Sequence, residues 1–191
     1  MPLASALSPQ LRLRVFAGPN GSGKSTIIQS IRQTKVNGRR IDLGYYINAD
    51  DIVRQFREDG FSFKDFNIQV TKRQLWTFAT KSGLLSDEFT EKEFDQSYHI
   101  RLNRLFLKDL VRLDQVGQIV ARYLREAMLE RKRRFSFETV FSHPSNIGIM
   151  KQAVESGYKV YLYFVSTESP EINKFRVAYR VSQNGHDVPP R

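Results

Sequence analysis

Residues Ala17–Thr26 read AGPNGSGKST, directly after the apolar-rich LRLRVF (Leu11–Phe16) and directly before IIQSI (Ile27–Ile31). Gly18-x-x-x-x-Gly23-Lys24-Ser25 fits the phosphate-binding-loop pattern, with the entering strand and leaving helix that the pattern requires. Glycines let successive backbone N–H groups curl around phosphate oxygens, and a helix N-terminus behind them adds partial positive charge. On this reading Gly18, Asn20, Gly21, Ser22, Gly23, Lys24, Ser25 and Thr26 form a nucleotide site. Lys24 reaches the β and γ phosphates and the Ser25 hydroxyl ligates Mg²⁺. ATP or GTP with Mg²⁺ is therefore the expected ligand, against the alternative of a glycine-rich turn that binds nothing.

Bulk properties bound what surrounds the loop. The 191 residues are 40% hydrophobic and 12% aromatic, enough for one sizeable core and a single domain over 1–191. There is no cysteine, so disulfides and thiolate metal sites are excluded, in keeping with a reducing compartment. The opening MPLASALSPQ lacks a basic region and a long apolar core, and no apolar run is long enough to span a bilayer, which predicts a soluble cytoplasmic protein without a membrane partner. Charge is the unusual feature: 30 Lys+Arg against 20 Asp+Glu give +10. Residues 1 to 40 hold seven bases and no acid, a field that favours anionic partners such as nucleotides, phosphorylated metabolites, nucleic acid or an acidic protein. The run RKRR (Arg131–Arg134) reads as a solvated helix end rather than a nucleic-acid patch.

Along the chain, strand and helix patterns alternate as an α/β domain requires. Leu11–Ala17 reads as a strand, Ser25–Gln33 as a helix, Gly44–Asn48 as a second strand, and Asp51–Arg57 as a short helix stopped by Asp59-Gly60. Phe61–Ser86 is weakly patterned, with helix signal around Thr71–Thr80. From Phe94 to Arg133, apolar residues including Leu102, Leu105, Phe106, Leu110, Leu113, Val116, Val120, Leu124 and Met128 recur at spacings of three and four, predicting one long or two joined helices packed as core. FSFETV (Phe135–Val140) is a strand, and Pro144–Ser156 a helix with Ser142 or His143 near its cap and Gly157 ending it. YKVYLYFV (Tyr158–Val165) is nearly continuous and so reads as a central strand. The last helix starts at Ser169-Pro170-Glu171 and closes at Asn184-Gly185.

Three further features fit phosphoryl transfer. Asp50 lies just beyond the strand YYIN, at the carboxyl edge of a parallel sheet, where its carboxylate can accept the proton of an attacking hydroxyl; it equally suits an N-cap for the following helix. Glu138 ends the apolar part of FSFETV, where an acid requires a cation, water or donor; it can orient the Mg²⁺ shell or bind substrate, with Thr139 adding a hydroxyl, or simply mark an exposed strand end. Arg176 and Arg180, four apart, share one helix face and can grip phosphate oxygens bidentately, with Val177 and Val181 on a different stripe. His186 is a lone histidine and reads as a loop hydrogen-bonder.

Taken together, AGPNGSGKST, YINADDI, FSFETVFSHPS, GYKVYLYFVST, SPEINKFRVAYRV and NGHDVP, in this order, resemble the zeta toxin family of P-loop kinases over roughly Val15 to Pro189. The resemblance implies a kinase-like fold and transfer of the γ-phosphate of ATP or GTP to a hydroxyl of a UDP-N-acetyl amino sugar, with a small protein antitoxin covering the nucleotide site. It implies Asp50 as base, Lys24 and Ser25 as phosphate and Mg²⁺ contacts, Arg176 and Arg180 as the phosphate-gripping pair, and Glu138 and Thr139 on the substrate or metal side. The family continues past NGHDVP into a basic helix and a last strand that these residues do not include, which leads us to expect an open sheet edge. Two other function classes stay open: a nucleic-acid 5′-kinase or binding protein, and a non-catalytic nucleotide-binding protein. The expected architecture is a three-layer α/β P-loop NTPase of the kinase type, with a central, mostly parallel sheet and a helical insertion over about 61–134.

Overall fold

The computed structural model describes residues 10–142 and 144–182. Two compact units arise, one from residues 1–46 with 132–191 and one from residues 47–131. The chain enters as β1 (Arg12–Ala17), α1 (Lys24–Gln33), a hairpin of β2 (Lys35–Val36) and β3 (Arg39–Arg40), and β4 (Tyr45–Ile47). The second unit then holds α2 (Ala49–Glu58), β5 (Phe61–Ser62), a 3-10 turn at Phe63–Phe66, α3 (Lys72–Lys81), α4 (Glu91–Ser97), β6 (Tyr98–Arg101), β7 (Arg104–Leu107) and α5 (Leu113–Glu130). Returning to the first unit, β8 (Phe135–Thr139), α6 (Ser145–Glu155), β9 (Lys159–Phe164) and α7 (Pro170–Ser182) follow.

The four-stranded sheet runs β4-β8-β1-β9 and is flanked by helices, a mixed α/β architecture. Both neighbours of β1 are parallel to it, with Phe16 opposite Glu138 on one side and Tyr163 on the other. Strand β1 is central, and Leu13, Val15, Phe16 and Ala17 are fully buried. On one face Phe16 packs with Ile28 of α1 and with Leu43, and its ring stacks on Tyr163 at 5.0 Å. Each such buried aromatic contributes about 2–3 kcal/mol. From β1 the chain goes to one side of the sheet for β4 and β8, then to the other for β9, so the order reverses at β1. That reversal opens a crevice at the carboxyl ends of the strands.

Strand β9 is not central as its composition predicts. It pairs with β1 alone among the described strands, and Leu162 and Phe164 are 45% and 60% exposed. A near-continuous apolar run signals burial on both faces, but nothing in it says whether a second neighbour exists. Among the described strands, β9 is therefore an edge of the sheet. The Asn184-Gly185 helix stop, His186 and the NGHDVP motif lie outside the described residues, as does His143; Pro144 itself occupies the cap position of α6.

The region predicted as a helical insertion is mixed. Helices α3, α4 and α5 are joined by a three-stranded antiparallel sheet, β5-β7-β6. Consequently the long helix expected from Phe94 is interrupted: Leu102, Leu105 and Phe106 belong to a hairpin, and only Leu113–Glu130 is helical beyond it. The reason is local. Leu102 and Asn103 have φ of 50° and 63°, and Arg101 pairs with Arg104, a two-residue turn of the kind that matches strand twist. Asn103 also bridges the preceding segment, donating from Nδ2 to Ile68 O (2.7 Å) and accepting from Val70 N (2.9 Å). Leu113, Val116, Val120, Leu124 and Met128 are buried as the core stripe, whereas Leu102 is 81% exposed. Helix α3 matches its expected span, with Thr71 and Gln74 forming a capping box. Among the described residues, no helix is long and apolar enough to cross a membrane.

Asn103→Ala removes both bridging hydrogen bonds and places a Cβ-only residue at positive φ, so it should destabilise the protein by about 2–3 kcal/mol in urea denaturation. Asn103→Gly, which relieves the backbone but not the bridge, should recover only part of the loss.

Candidate functional site

The loop after β1 has the backbone that its glycines predict. Gly18, Gly21 and Gly23 have φ of 143°, 79° and 96°, a region costly to any residue with a Cβ. Their surroundings differ. A Cβ at Gly18 would lie 2.0 Å from Val165 O, and one at Gly21 would lie 2.5 Å from Asn173 O, so β9 and α7 press against the loop's outer wall. At Gly23 a Cβ would meet nothing within 4 Å, which marks the open side.

Lys24 opens α1 and is buried, its Nζ donating to Gly18 O (2.8 Å) and Pro19 O (2.9 Å). The ammonium thus straddles the loop it follows. No side chain caps this ten-residue helix and its first turn carries no acid, so the N-terminal partial charge is uncompensated there. Ser25 and Thr26 are exposed in that turn. Ser22 Oγ is buried without a hydrogen-bond partner. An orphaned buried hydroxyl, an uncapped helix start and an open glycine face are what a phosphate group would complete, so the residues fit a nucleotide's phosphates.

Glu138 and Thr139 close the neighbouring strand. Glu138, beside Phe16, accepts a 2.7 Å hydrogen bond at Oε2 from Tyr46 Oη of β4, and the Arg32 guanidinium of α1 lies 4.5 Å from the Tyr46 ring centre. Tyr46 is a site residue that sequence reasoning missed; the alternation within GYYIN, with Ile47 buried, was the available signal. The Thr139 hydroxyl is engaged locally, accepting from Phe141 N at 3.0 Å, and Gly18 N donates to Thr139 O.

Helix α7 lies against the loop. Arg176 donates from Nη1 to Gly21 O at 3.4 Å, and Asn173 Oδ1 lies 2.9 Å from the Thr167 hydroxyl, which fixes the turn leading into the helix. Glu171 in its first turn is held below the usual carboxylate range, first by a hydrogen bond from its own backbone N–H and then by one from the Ser169 hydroxyl. Phe175 and Tyr179 are exposed and stacked 6.4 Å apart. Arg180 lies one turn beyond Arg176 in the same helix.

Asp50 belongs to the second unit, and the structure corrects its capping role. Helix α2 begins at Ala49, with Asn48 as N-cap accepting from Asp50 N at 3.0 Å; Asp50 is the exposed second residue of the first turn. Its carboxylate is therefore not used to cap the helix. Among the described residues, no cluster of His, Cys, Asp or Glu is arranged to hold a metal ion. No known protein family, curated protein or solved structure matches the chain.

Two glycine variants separate crowding from backbone strain. Gly23→Ala should cost about 1–2 kcal/mol for its left-handed φ alone. Gly18→Ala must also displace the backbone at Val165, the residue after β9, and should lower the thermal unfolding midpoint by clearly more; equal shifts would show that the wall there yields freely.

Proposed function

We propose that this chain is a nucleotide-dependent phosphotransferase of the P-loop kinase type, similar to the zeta toxins, acting in a reducing cytoplasm. Its acceptor is a hydroxyl on a small molecule, with a UDP-N-acetyl amino sugar as the first candidate. The observation that carries this reading is the loop: three left-handed glycines, Lys24 straddling the turn and an uncapped helix, all at the crevice where the strand order reverses.

Bound Mg²⁺ with ATP or GTP would supply the phosphoryl group and most of the charge to be neutralised. The protein's part follows from its residues. Backbone N–H groups of Gly21 and of Gly23–Thr26 would hold phosphate oxygens, and Lys24 contributes a fixed positive charge from beneath the loop. Ser25 and Glu138 are the metal-side groups, with Tyr46 orienting the Glu138 carboxylate through its hydroxyl. Arg176, already at the loop, and Arg180 neutralise charge that develops in transfer. Asp50 is the base that accepts the acceptor hydroxyl's proton, and its exposed carboxylate, left free by the Asn48 cap, suits that task. A small protein antitoxin that covers the loop is the natural inhibitor of such a site.

Purified protein incubated with Mg²⁺, ATP or GTP and a panel of UDP-sugars should yield, by mass spectrometry, a product heavier by one phosphoryl group. Lys24→Ala should weaken nucleotide binding by at least about tenfold. Asp50→Ala should retain binding but lower transfer by roughly 10²–10⁴-fold. Full activity in Asp50→Ala would remove the base assignment, and a wild-type chain that binds no nucleotide would remove the reading itself.

A further inference from the structure

We propose that the amino edge of the four-stranded sheet, opposite the glycine loop, binds duplex DNA through its phosphates. Charge is partitioned between the two units. Residues 1–46 and 132–191 carry sixteen Lys+Arg against six Asp+Glu, whereas residues 47–131 carry fourteen of each, so the whole +10 resides in the first unit. The loop consumes little of it, since Lys24 and Arg176 are its only cations with described loop contacts.

Topology gathers the rest. Parallel strands begin at one edge, so Lys132 and Arg133, just before β8, and Lys159, at the start of β9, lie at the same edge with β1 between them. Helix α1 runs back from the loop and delivers the β2–β3 hairpin, with Lys35, Arg39 and Arg40, to that same edge. An ion pair between Asp42 and Arg134, 2.8 Å, ties the segment after the hairpin to the start of β8. All six of these cations are exposed, and none forms an ion pair with another described residue. The acids nearest these cations along the chain are Asp42, already paired, Glu130 at the end of α5 and Glu155 at the end of α6.

The hairpin adds an independent observation. Lys35 stands directly opposite Arg40 across the two strands, an arrangement that destabilises a hairpin. It is held in spite of this by Asn37-Gly38, whose φ values of 51° and 75° make the favoured two-residue turn. Folding alone would favour an acid at either position. An anion lying between the two side chains relieves their repulsion.

The form of the surface selects the polyanion. Single-stranded nucleic acid is gripped by aromatic platforms; this hairpin carries no aromatic residue, and the exposed Tyr161 near the start of β9 already has the Arg14 guanidinium 5.3 Å from its ring centre. A two-stranded ribbon enters the major groove of B-form DNA but not the deep, narrow one of duplex RNA. With lysine and arginine as its only charged side chains, the hairpin reads phosphates and not sequence.

The test is fluorescence anisotropy of a labelled 20-base-pair DNA duplex across a series of salt concentrations. Wild-type affinity should fall linearly on a log–log plot. The triple variant Lys35→Ala, Arg39→Ala, Arg40→Ala should bind at least about tenfold more weakly at low salt, with a slope shallower by roughly 2–3, while nucleotide binding stays unchanged. A control pair in the neutral unit, Lys92→Ala with Lys108→Ala, should leave affinity as it was. Unchanged affinity in the triple variant overturns the proposal, as does tighter binding to single-stranded DNA or to phosphatidylserine vesicles than to the duplex. Because the readout uses no phosphoryl transfer, it stands or falls separately from the kinase reading.

Discussion

Everything in the first unit depends on β1 being held on both sides by parallel partners. Parallel pairing aligns strand ends, so the segments that leave β1, β8 and β9 emerge at one edge and those that enter emerge at the other. At the leaving edge, hydrogen bonds from Gly18 N to Thr139 O and from Val165 N to Ala17 O stitch the start of the loop to both neighbours. A glycine loop free to take many shapes would lose conformational entropy on meeting a phosphate. Here the strands, the Lys24 bridges and the pressure of Asn173 have already fixed it.

The same constraint explains why the site is assembled from distant parts of the sequence. Tyr46, Glu138, Phe16 and Tyr163 come from four strands, yet register puts Phe16 between Glu138 and Tyr163, and Tyr46 reaches Glu138 from the outer strand. Packing of the buried Phe16 against the partly buried Tyr163 thereby helps to set the position of a carboxylate. A substitution that reshapes this aromatic pair would move Glu138 without touching it, which couples packing to chemistry at a distance of one strand spacing.

Much of this was legible in the residues. The loop, α1, β1 and β8 were readable because a strand, a glycine turn and a helix each leave a separate local signal, and all three agree. Helix α3 left a helix signal around Thr71–Thr80 in an otherwise weakly patterned stretch, and the Thr71–Gln74 capping box that fixes its start came from the structure. The hairpin at Leu102-Asn103 was not, because Leu105, Leu113, Val116 and Val120 continue a spacing of threes and fours across a turn whose only mark is one asparagine. Asp50 was placed correctly near a helix start, but the cap lies two positions before it, since the Asn48 side chain accepts from the Asp50 N–H. The position of β9 depends on a partner and not on its own residues, so no reading of YKVYLYFV alone could settle it. Alternation within GYYIN could give the face of Tyr46 but not its partner, because Glu138 comes from the strand beside it.

Strand β9 has a further property that follows from alternation. Lys159 N donates to Leu11 O and Val165 N to Ala17 O, so the odd-numbered amides along the strand point toward β1. The amides of Val160, Leu162 and Phe164 point the other way, where no described strand receives them. Backbone amide exchange with solvent deuterium should therefore alternate residue by residue through this segment, slow at odd positions and fast at even ones. Such a comb would report the open edge directly in solution, and its even teeth would vanish upon any event that lays another strand beside β9.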